Sequence, residues 1–375
     1  MHYLDHAATT PVSRETADMM AAVLTEGFGN PSAQYGHGRD AKKLVDDSRA
    51  AIAKALGCQS GQLCFTSCGT ESDNWAIRAA LHQNRHVGKH IITTAVEHSA
   101  VLQLMKELEG QGYEVTRLKP DGSGAVTAQQ VADALREDTA LVSMMLVNNE
   151  TGAILPVSEV AALLKNRRTL LHTDAVQAFL KIPFSAKTLG ADYISLSAHK
   201  IGGPKGIGAL YFGGKARNPL PLLFGGEQEN GLRPGTEATH QIAGFAAAVR
   251  HRAEHMAEHT AHMAAMKAYA EKRLAEIPTL QRVGAGQAPH ILSVSLPGYP
   301  SQNIVADLDS KGICISAGSA CHKGKASHVL VAMGLDKKTA AGTVRISFGP
   351  ETAEADIDAL YEALLTHKNT RFPML

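Results

Sequence analysis

Lys200 ends the run Ser195-Leu-Ser-Ala-His-Lys200 and stands just before the glycine-rich turn Ile201-Gly-Gly-Pro-Lys-Gly206. A lysine just past a buried strand loses hydration, which lowers its pKa and frees the amine to attack a carbonyl. The same residue would be unremarked in a solvated loop. Upstream, His172-Thr-Asp174-Ala-Val-Gln177 sets a carboxylate at another predicted strand end. There it could keep a ring nitrogen protonated, as an electron sink requires, or cap the next helix. Thr66-Ser-Cys-Gly69-Thr70-Glu-Ser-Asp-Asn74 passes from a strand into a helix, so free backbone N–H groups and the Thr70 hydroxyl meet at a helix N-terminus. That combination suits a phosphate, although the Gly-Lys-Ser/Thr of a P-loop does not follow. Val96-Glu-His98 and Val147-Asn-Asn149-Glu150-Thr-Gly152 bring polar groups to two more strand ends. Five such ends on one sheet edge are worth more than any one alone.

Cysteine and histidine offer two further chemistries. Of five cysteines, Cys58, Cys64, Cys68 and Cys314 read as small apolar residues, and Cys64-Phe-Thr-Ser-Cys68 lacks the spacing of a redox or zinc pair. Cys321 differs, because it sits among small residues in Ser316-Ala-Gly-Ser-Ala-Cys321-His-Lys-Gly-Lys325. The cations His322, Lys323, Lys325 and His328 favour a thiolate below the usual pKa of about 8.5, and burial would oppose them. In His251-Arg-Ala-Glu-His255-Met-Ala-Glu-His259-Thr-Ala-His262, the pattern H-x-x-E-H occurs twice on a predicted helix, where residues four apart face the same way. Such spacing can chelate a metal or form a solvated stripe. No third ligand is evident and the other candidate groups lie elsewhere, so no metal is expected.

The elements that must position these groups alternate. Apolar or β-branched runs at 62–66, 90–94, 114–118, 141–147, 170–173, 193–196 and 208–212 predict strands, and amphipathic patterns at 39–56, 99–109, 127–135 and 157–166 predict helices between them. This is an α/β pattern, a mostly parallel sheet covered on both faces, with ligands expected beyond the carboxyl ends of the strands. One long helix over 240–276 would bridge to a smaller α+β domain with strands at 291–296, 313–316 and 344–348. The expected division is 15–250 for the large domain and 1–14 with 251–375 for the small one.

The chain of 375 residues is long enough for two such cores. Its 37 Lys plus Arg against 36 Asp plus Glu leave a charge of +1, which argues against nucleic acid as partner. No apolar run approaches the roughly 18 to 20 residues of a membrane span. Residues 1–11 carry charges and threonines where a signal peptide needs an apolar stretch. With an odd number of unpaired cysteines, this predicts a cytoplasmic protein.

Taken in order, Tyr3-Leu-Asp-His-Ala-Ala-Thr-Thr-Pro11, Gly29-Asn-Pro-Ser32, Thr70-Glu-Ser-Asp-Asn74, Glu97-His98, Asn148-Asn-Glu150, Ser197-Ala-His-Lys200, Arg233-Pro-Gly-Thr236, Ser319-Ala-Cys321 and Arg345-Ile-Ser-Phe-Gly349 resemble the NifS- and IscS-like cysteine desulfurases. These are class V, fold type I enzymes dependent on pyridoxal 5′-phosphate. The resemblance implies an aspartate aminotransferase-like fold: a large cofactor-binding domain with a seven-stranded sheet and a smaller C-terminal domain carrying the catalytic cysteine. Lys200 would bind the cofactor covalently and move the substrate Cα proton. Asp174 would face the ring nitrogen and Gln177 the ring hydroxyl, while His98 would stack on the ring and assist proton transfer. Gly69, Thr70, Ser197 and His199 would hold the phosphate, joined by Thr236 from the partner of a homodimer. Asn149 and Arg345 would fix the carboxylate of L-cysteine, Arg345 through its bidentate fork. Cys321 would take the sulfur as a persulfide, leave alanine, and pass the sulfur to a protein or thiol acceptor in iron–sulfur or thio-cofactor synthesis. Its loop is shorter than in relatives that feed iron–sulfur scaffolds. A selenocysteine lyase or another class V lyase or aminotransferase would share most of these residues, and a silent metal-binding or scaffold protein would rest on the histidine stripe.

Overall fold

In the computed structural model, which describes residues 1–217, 219–318 and 327–374, all seven of the expected runs become strands of one sheet. In chain order the strands are β1 (His2–Tyr3), β2 (Leu63–Thr66), β3 (His90–Thr94), β4 (Glu114–Leu118), β5 (Thr139–Ser143), β6 (Leu170–Asp174), β7 (Tyr193–Ser197), β8 (Gly208–Phe212), β9 (Gln281–Val283), β10 (Ile291–Ser295), β11 (Ile313–Cys314), β12 (Ser316–Ala317) and β13 (Thr343–Ser347). The large sheet has the order β2-β8-β7-β6-β5-β3-β4. Only β8 runs against its neighbours. Strands β2, β3, β5, β6 and β7 therefore all end on the same edge, at Thr66, Thr94, Ser143, Asp174 and Ser197.

Both faces of this sheet are covered, so its central strands are buried throughout instead of alternating between buried and exposed. Every residue of β2, β3, β5, β6 and β7 is buried. The helix Gly69–Gln83 lays Trp75, Ile77 and Leu81 against one face. Fully burying an apolar side chain of this size contributes about 1.5–3 kcal/mol. The Trp75 indole also donates to the Leu220 carbonyl at 2.7 Å, so its one polar group is satisfied.

A second core gathers around the antiparallel sheet β12-β13-β10-β9, together with Leu4, Met263, Leu274, Ile304 and Leu360. Strand β1 pairs in parallel with β11, which ties the N-terminal segment to this core. The chain reaches it through two helices, not the single one expected over 240–276. Thr239–Glu254 and Met256–Leu274 are separated at His255 (φ −104°, ψ 15°). No proline or glycine lies there. The first helix packs on the helices Arg14–Thr25 and Gly36–Leu56, the second on Glu354–Thr370. The bend lets each half follow its own core.

Candidate active site

Beyond the shared strand edge lies a cavity of about 380 Å³. Its wall includes Gly69, Thr70, His98, Asn149, Asp174, Gln177, Ser197, His199, Lys200 and Arg345. Ten of the twelve residues singled out in the sequence thus meet in one place. Thr236 is exposed and lies off this wall, and Cys321, with His322, Lys323 and Lys325, lies outside the described residues.

Lys200 follows β7 in a single turn of tight helix, and its Nζ donates to the carbonyls of Ala7 and Ala8 at 2.7 and 2.6 Å. Burial, reinforced by the Arg345 charge, pushes its pKa down to about 8. Such an amine loses its proton far more readily than an exposed lysine. Asp174 ends β6, and one carboxylate oxygen accepts from the Val176 N–H at 2.8 Å. The group is buried beside Asp73, and both effects raise its pKa. It is therefore a carboxylate in want of a positive partner. Gln177 donates from Nε2 to the Ala7 carbonyl at 2.8 Å.

His98 has two tasks. Its Nδ1 accepts from the Ala100 N–H at 3.2 Å and caps the helix Ser99–Gly110, which leaves Nε2 to carry the proton. Burial keeps the ring neutral by lowering its pKa. His199 is likewise pushed down, to about 3, by burial and the Lys200 charge. Its Nδ1 lies 3.2 Å from the Thr9 hydroxyl, and its carbonyl anchors Thr10.

These surroundings fit the phosphate and ring of pyridoxal 5′-phosphate. The helix Gly69–Gln83 begins without a side-chain cap, and the nearby Ser197 hydroxyl is buried without a partner. An anion there would satisfy both. Glycine at position 69 lets this wall close tightly, since a Cβ would come within 2.8 Å of Val176 Cγ2 and push that side chain aside.

On the opposite wall Arg345, from β13, donates to the Asn149 carbonyl at 2.9 Å, to Asp5 at 2.8 Å and to the Ser316 hydroxyl at 2.9 Å. Its Nε is buried and unpartnered. Asp5 and the carbonyls of Ala7 and Ala8 were not foreseen as contacts. They come from a segment that runs along the cavity, and backbone acceptors leave no mark in a sequence. Asp73, Glu150 and His328 also line the cavity. Burial raises Asp73 and Glu150 to about 7, and His328 donates to the Glu97 carbonyl at 2.9 Å.

Cys68 is half-buried on the cavity wall, unlike the apolar filler expected. The thiols of Cys58 and Cys64 are raised by burial, Cys58 to about 11, and both are poor nucleophiles. In the histidine stripe the rings of His251, His255 and His259 lie 5.1–5.7 Å apart. Among the described residues no group of three His, Cys, Asp or Glu side chains is arranged to hold a metal ion.

The aminotransferase class-V family matches residues 2–360. A putative cysteine desulfurase IscS 1 of Bacillus subtilis (strain 168) is 41% identical over 353 residues, covering 92% of this chain and 93% of that protein. A cysteine desulfurase of Trichormus azollae is 41% identical over 367 residues, 96% of this chain and 91% of its own. Among solved structures, a NifS-like protein superposes with a TM-score of 0.92 at 36% identity, covering 98% of this chain and 99% of that one. SspA in complex with cysteine gives 0.83 at 34% identity, covering 94% and 100%. With its seven-stranded sheet and strand-end cavity, the chain belongs to the class V aminotransferase family of pyridoxal-phosphate enzymes, among its IscS- and NifS-like cysteine desulfurases.

Proposed function

We propose that the cavity takes pyridoxal 5′-phosphate and L-cysteine, that Cys321 receives the substrate sulfur, and that the enzyme acts as a cytoplasmic homodimer. The observation that carries the reading is Lys200: an amine with its pKa near 8 at the end of β7, in a cavity shared with Asp174, Gln177 and Ser197.

Each role follows from a local property. Ser197, Thr70, His199 and the uncapped helix at Gly69 hold the phosphate, with Thr236 of a second copy completing it. Asp174 offers a carboxylate to the ring nitrogen and Gln177 an N–H to the ring oxygen. When bound, the cofactor supplies an electron sink beside the substrate Cα. Lys200 takes the proton from that Cα, a transfer its lowered pKa brings near working pH. His98, held upright by its bond to Ala100, presents Nε2–H over the ring site. Arg345 and Asn149 bind the substrate carboxylate, Arg345 from the side where Nε is free. The Cys321 thiolate attacks the substrate sulfur: a sulfur–sulfur bond forms, the carbon–sulfur bond breaks with its electron pair passing to Cβ, and Cβ takes up a proton equivalent to the one the Cys321 thiol gave up, so that cysteine leaves as alanine. The persulfide then passes its outer sulfur to a protein or thiol acceptor for iron–sulfur or thio-cofactor synthesis. Residues 15–250 form the cofactor-binding part, and 1–14 with 251–375 the part bearing Arg345 and Cys321. No helix among the described residues is long and apolar enough to cross a membrane.

The test is to supply the purified, cofactor-loaded protein with L-cysteine, measure alanine, and map the added sulfur by mass spectrometry. Equal alanine and persulfide, confined to Cys321, is the expected result. Alanine without any Cys321 persulfide, or turnover of selenocysteine only, would defeat the proposal. Light scattering of the same sample reports the dimer.

A further inference from the structure

Lys181 is buried to 2% exposure, seven residues beyond Asp174. Its Nζ donates to Gln177 Oε1 at 3.2 Å, and among the described residues it has no carboxylate within 4 Å. A buried amine without an acid is costly, and burial together with the charges of Lys200, Arg252 and Arg345 drives its pKa well down. The backbone that delivers it is also strained: Leu180, itself buried, adopts φ 54°, the left-handed region that a branched side chain avoids. Strain and an unpaired buried amine at adjacent positions call for a function that ordinary packing does not supply.

The hydrogen bonds say what that function is. Lys181 Nζ donates to Oε1 while the Ala7 carbonyl, which can only accept, takes a hydrogen from Nε2, so the two contacts together turn the Gln177 oxygen toward Lys181 and its nitrogen away. Nε2 then points at the Ala7 carbonyl, which Lys200 also binds, and its second hydrogen is left for the cavity. Without Lys181 only the Ala7 carbonyl opposes a half-turn of the amide, which would offer an oxygen where a donor is needed.

We propose that Lys181 is a positioning residue which, together with the Ala7 carbonyl, locks the Gln177 amide with its remaining N–H facing the cofactor ring oxygen. This rests on the reading of Gln177 given above. It predicts that Lys181 acts on the cofactor only through Gln177.

The experiment uses the full-length protein stripped of cofactor and titrated with pyridoxal 5′-phosphate by equilibrium dialysis, with the visible absorbance band of the bound cofactor as second readout. Lys181→Met, close in shape but without a donor, should weaken binding about tenfold, the worth of one hydrogen bond at the upper end of its usual range. It should move the band in the same direction as Gln177→Leu. In the double variant the two effects should not add, since the second removes the group through which the first acts. Lys181→Gln, which keeps an N–H donor, should bind better than Lys181→Met. Should Lys181→Met fail to fold, Lys181→Leu, which also lacks a donor, takes its place in the cycle with Gln177→Leu.

An unchanged band and affinity in Lys181→Met, or additive effects in the double variant, would overturn the proposal. So would a loss of thermal stability alone, which marks a merely structural lysine. If Gln177→Leu itself changes neither readout, the placement of Gln177 fails and takes the proposal with it. If Gln177→Leu shifts the band and Lys181→Met does not, only the role of Lys181 is wrong.

Discussion

Two regions of this chain are rich in histidine, and only one is built to do chemistry. In the strand-end cavity, His98 and His199 arrive from different elements and meet Asp174, Lys200 and Arg345. Both rings are held neutral by burial. In the stripe, His251, His255 and His259 share one face of two consecutive helices, as their spacing requires. What surrounds them does not favour a cation. The Arg252 guanidinium lies 3.4 Å from His259 Nδ1, and His259 is depressed by burial and then by the Arg252 charge. Convergence of unlike groups from several strands makes a site; repetition of like groups along one helix makes a surface.

The sharpest way to break this comparison is Lys200→Ala. Removal of the amine proposed to bind the cofactor and carry the proton should lower alanine formation by about 10⁴ or to background, and borohydride should no longer fix the cofactor to the chain. Lys205 is the nearest other lysine in sequence. Cofactor fixed there with turnover intact would move the reacting amine elsewhere.

Asp174→Asn comes next. It keeps the hydrogen bond from Val176 available while removing the charge proposed to face the ring nitrogen. Loss of such an electrostatic contact costs about 3 kcal/mol in the transition state, roughly a hundredfold in rate. The thermal midpoint should hold or rise, because a buried carboxylate is replaced by a neutral amide. A near-normal rate constant would take Asp174 out of the mechanism.

The seven strands were legible because each is a short apolar or β-branched run between helical patterns, and three of them, His90–Thr94, Glu114–Leu118 and Gly208–Phe212, keep the expected bounds. The run at 141–147 is instructive, since the strand occupies Thr139–Ser143 while 144–147 stay buried outside it. Met144 and Leu146 still donate to the His172 and Asp174 carbonyls. Hydropathy reports burial and cannot tell a buried strand from a buried loop. Strands β1 and β9, of two and three residues, are too short to show any period. In the site, the residues with distinctive side chains at strand ends were readable. The ion pair of Arg345 with Asp5 was not, because it joins residues 340 positions apart.

Below the cavity floor the comparison can be sharpened by pH. Glu97 is fully buried, accepting at Oε1 from Thr94 and from the Met145 N–H, with Oε2 unpartnered. Burial raises its carboxyl from 4.5 to about 8. A carboxyl raised on folding contributes stability that is full below its unfolded value and is lost as pH climbs through about 4.5 to 8. His172 has the opposite slope. Burial lowers it from 6.5 to about 4, so its contribution is full above 6.5 and is lost as pH falls toward 4. Its 3.4 Å approach to Asp73 is therefore not an ion pair at neutral pH. Glu97→Gln mimics the protonated acid. It should stabilise the protein by on the order of 2 kcal/mol near pH 8.5, with the gain shrinking toward pH 4.5. Denaturant midpoints at both pH values measure this, and a gain independent of pH would show that Glu97 does not titrate between them.

The smallest effect belongs to the stripe. His255 lies at the bend between the two helices, with Nδ1 3.6 Å from a carboxylate oxygen of the exposed Glu258. An exposed pair of this kind is worth little, because water screens it and two side chains must be held in place. It contacts neither the cavity wall nor any residue given a role there. His255→Ala should therefore leave kcat/KM for cysteine unchanged and shift stability by no more than about 0.5 kcal/mol. Alanine also has the higher helix propensity, so the bend offers a second measurement. If the break at His255 comes from the two halves following different cores, the variant keeps it, and a crystal structure shows two helices still. A straightened helix, or a several-fold fall in kcat/KM, would mean that the stripe governs how the two cores meet at the cavity, and the separation drawn between the two histidine regions would fail.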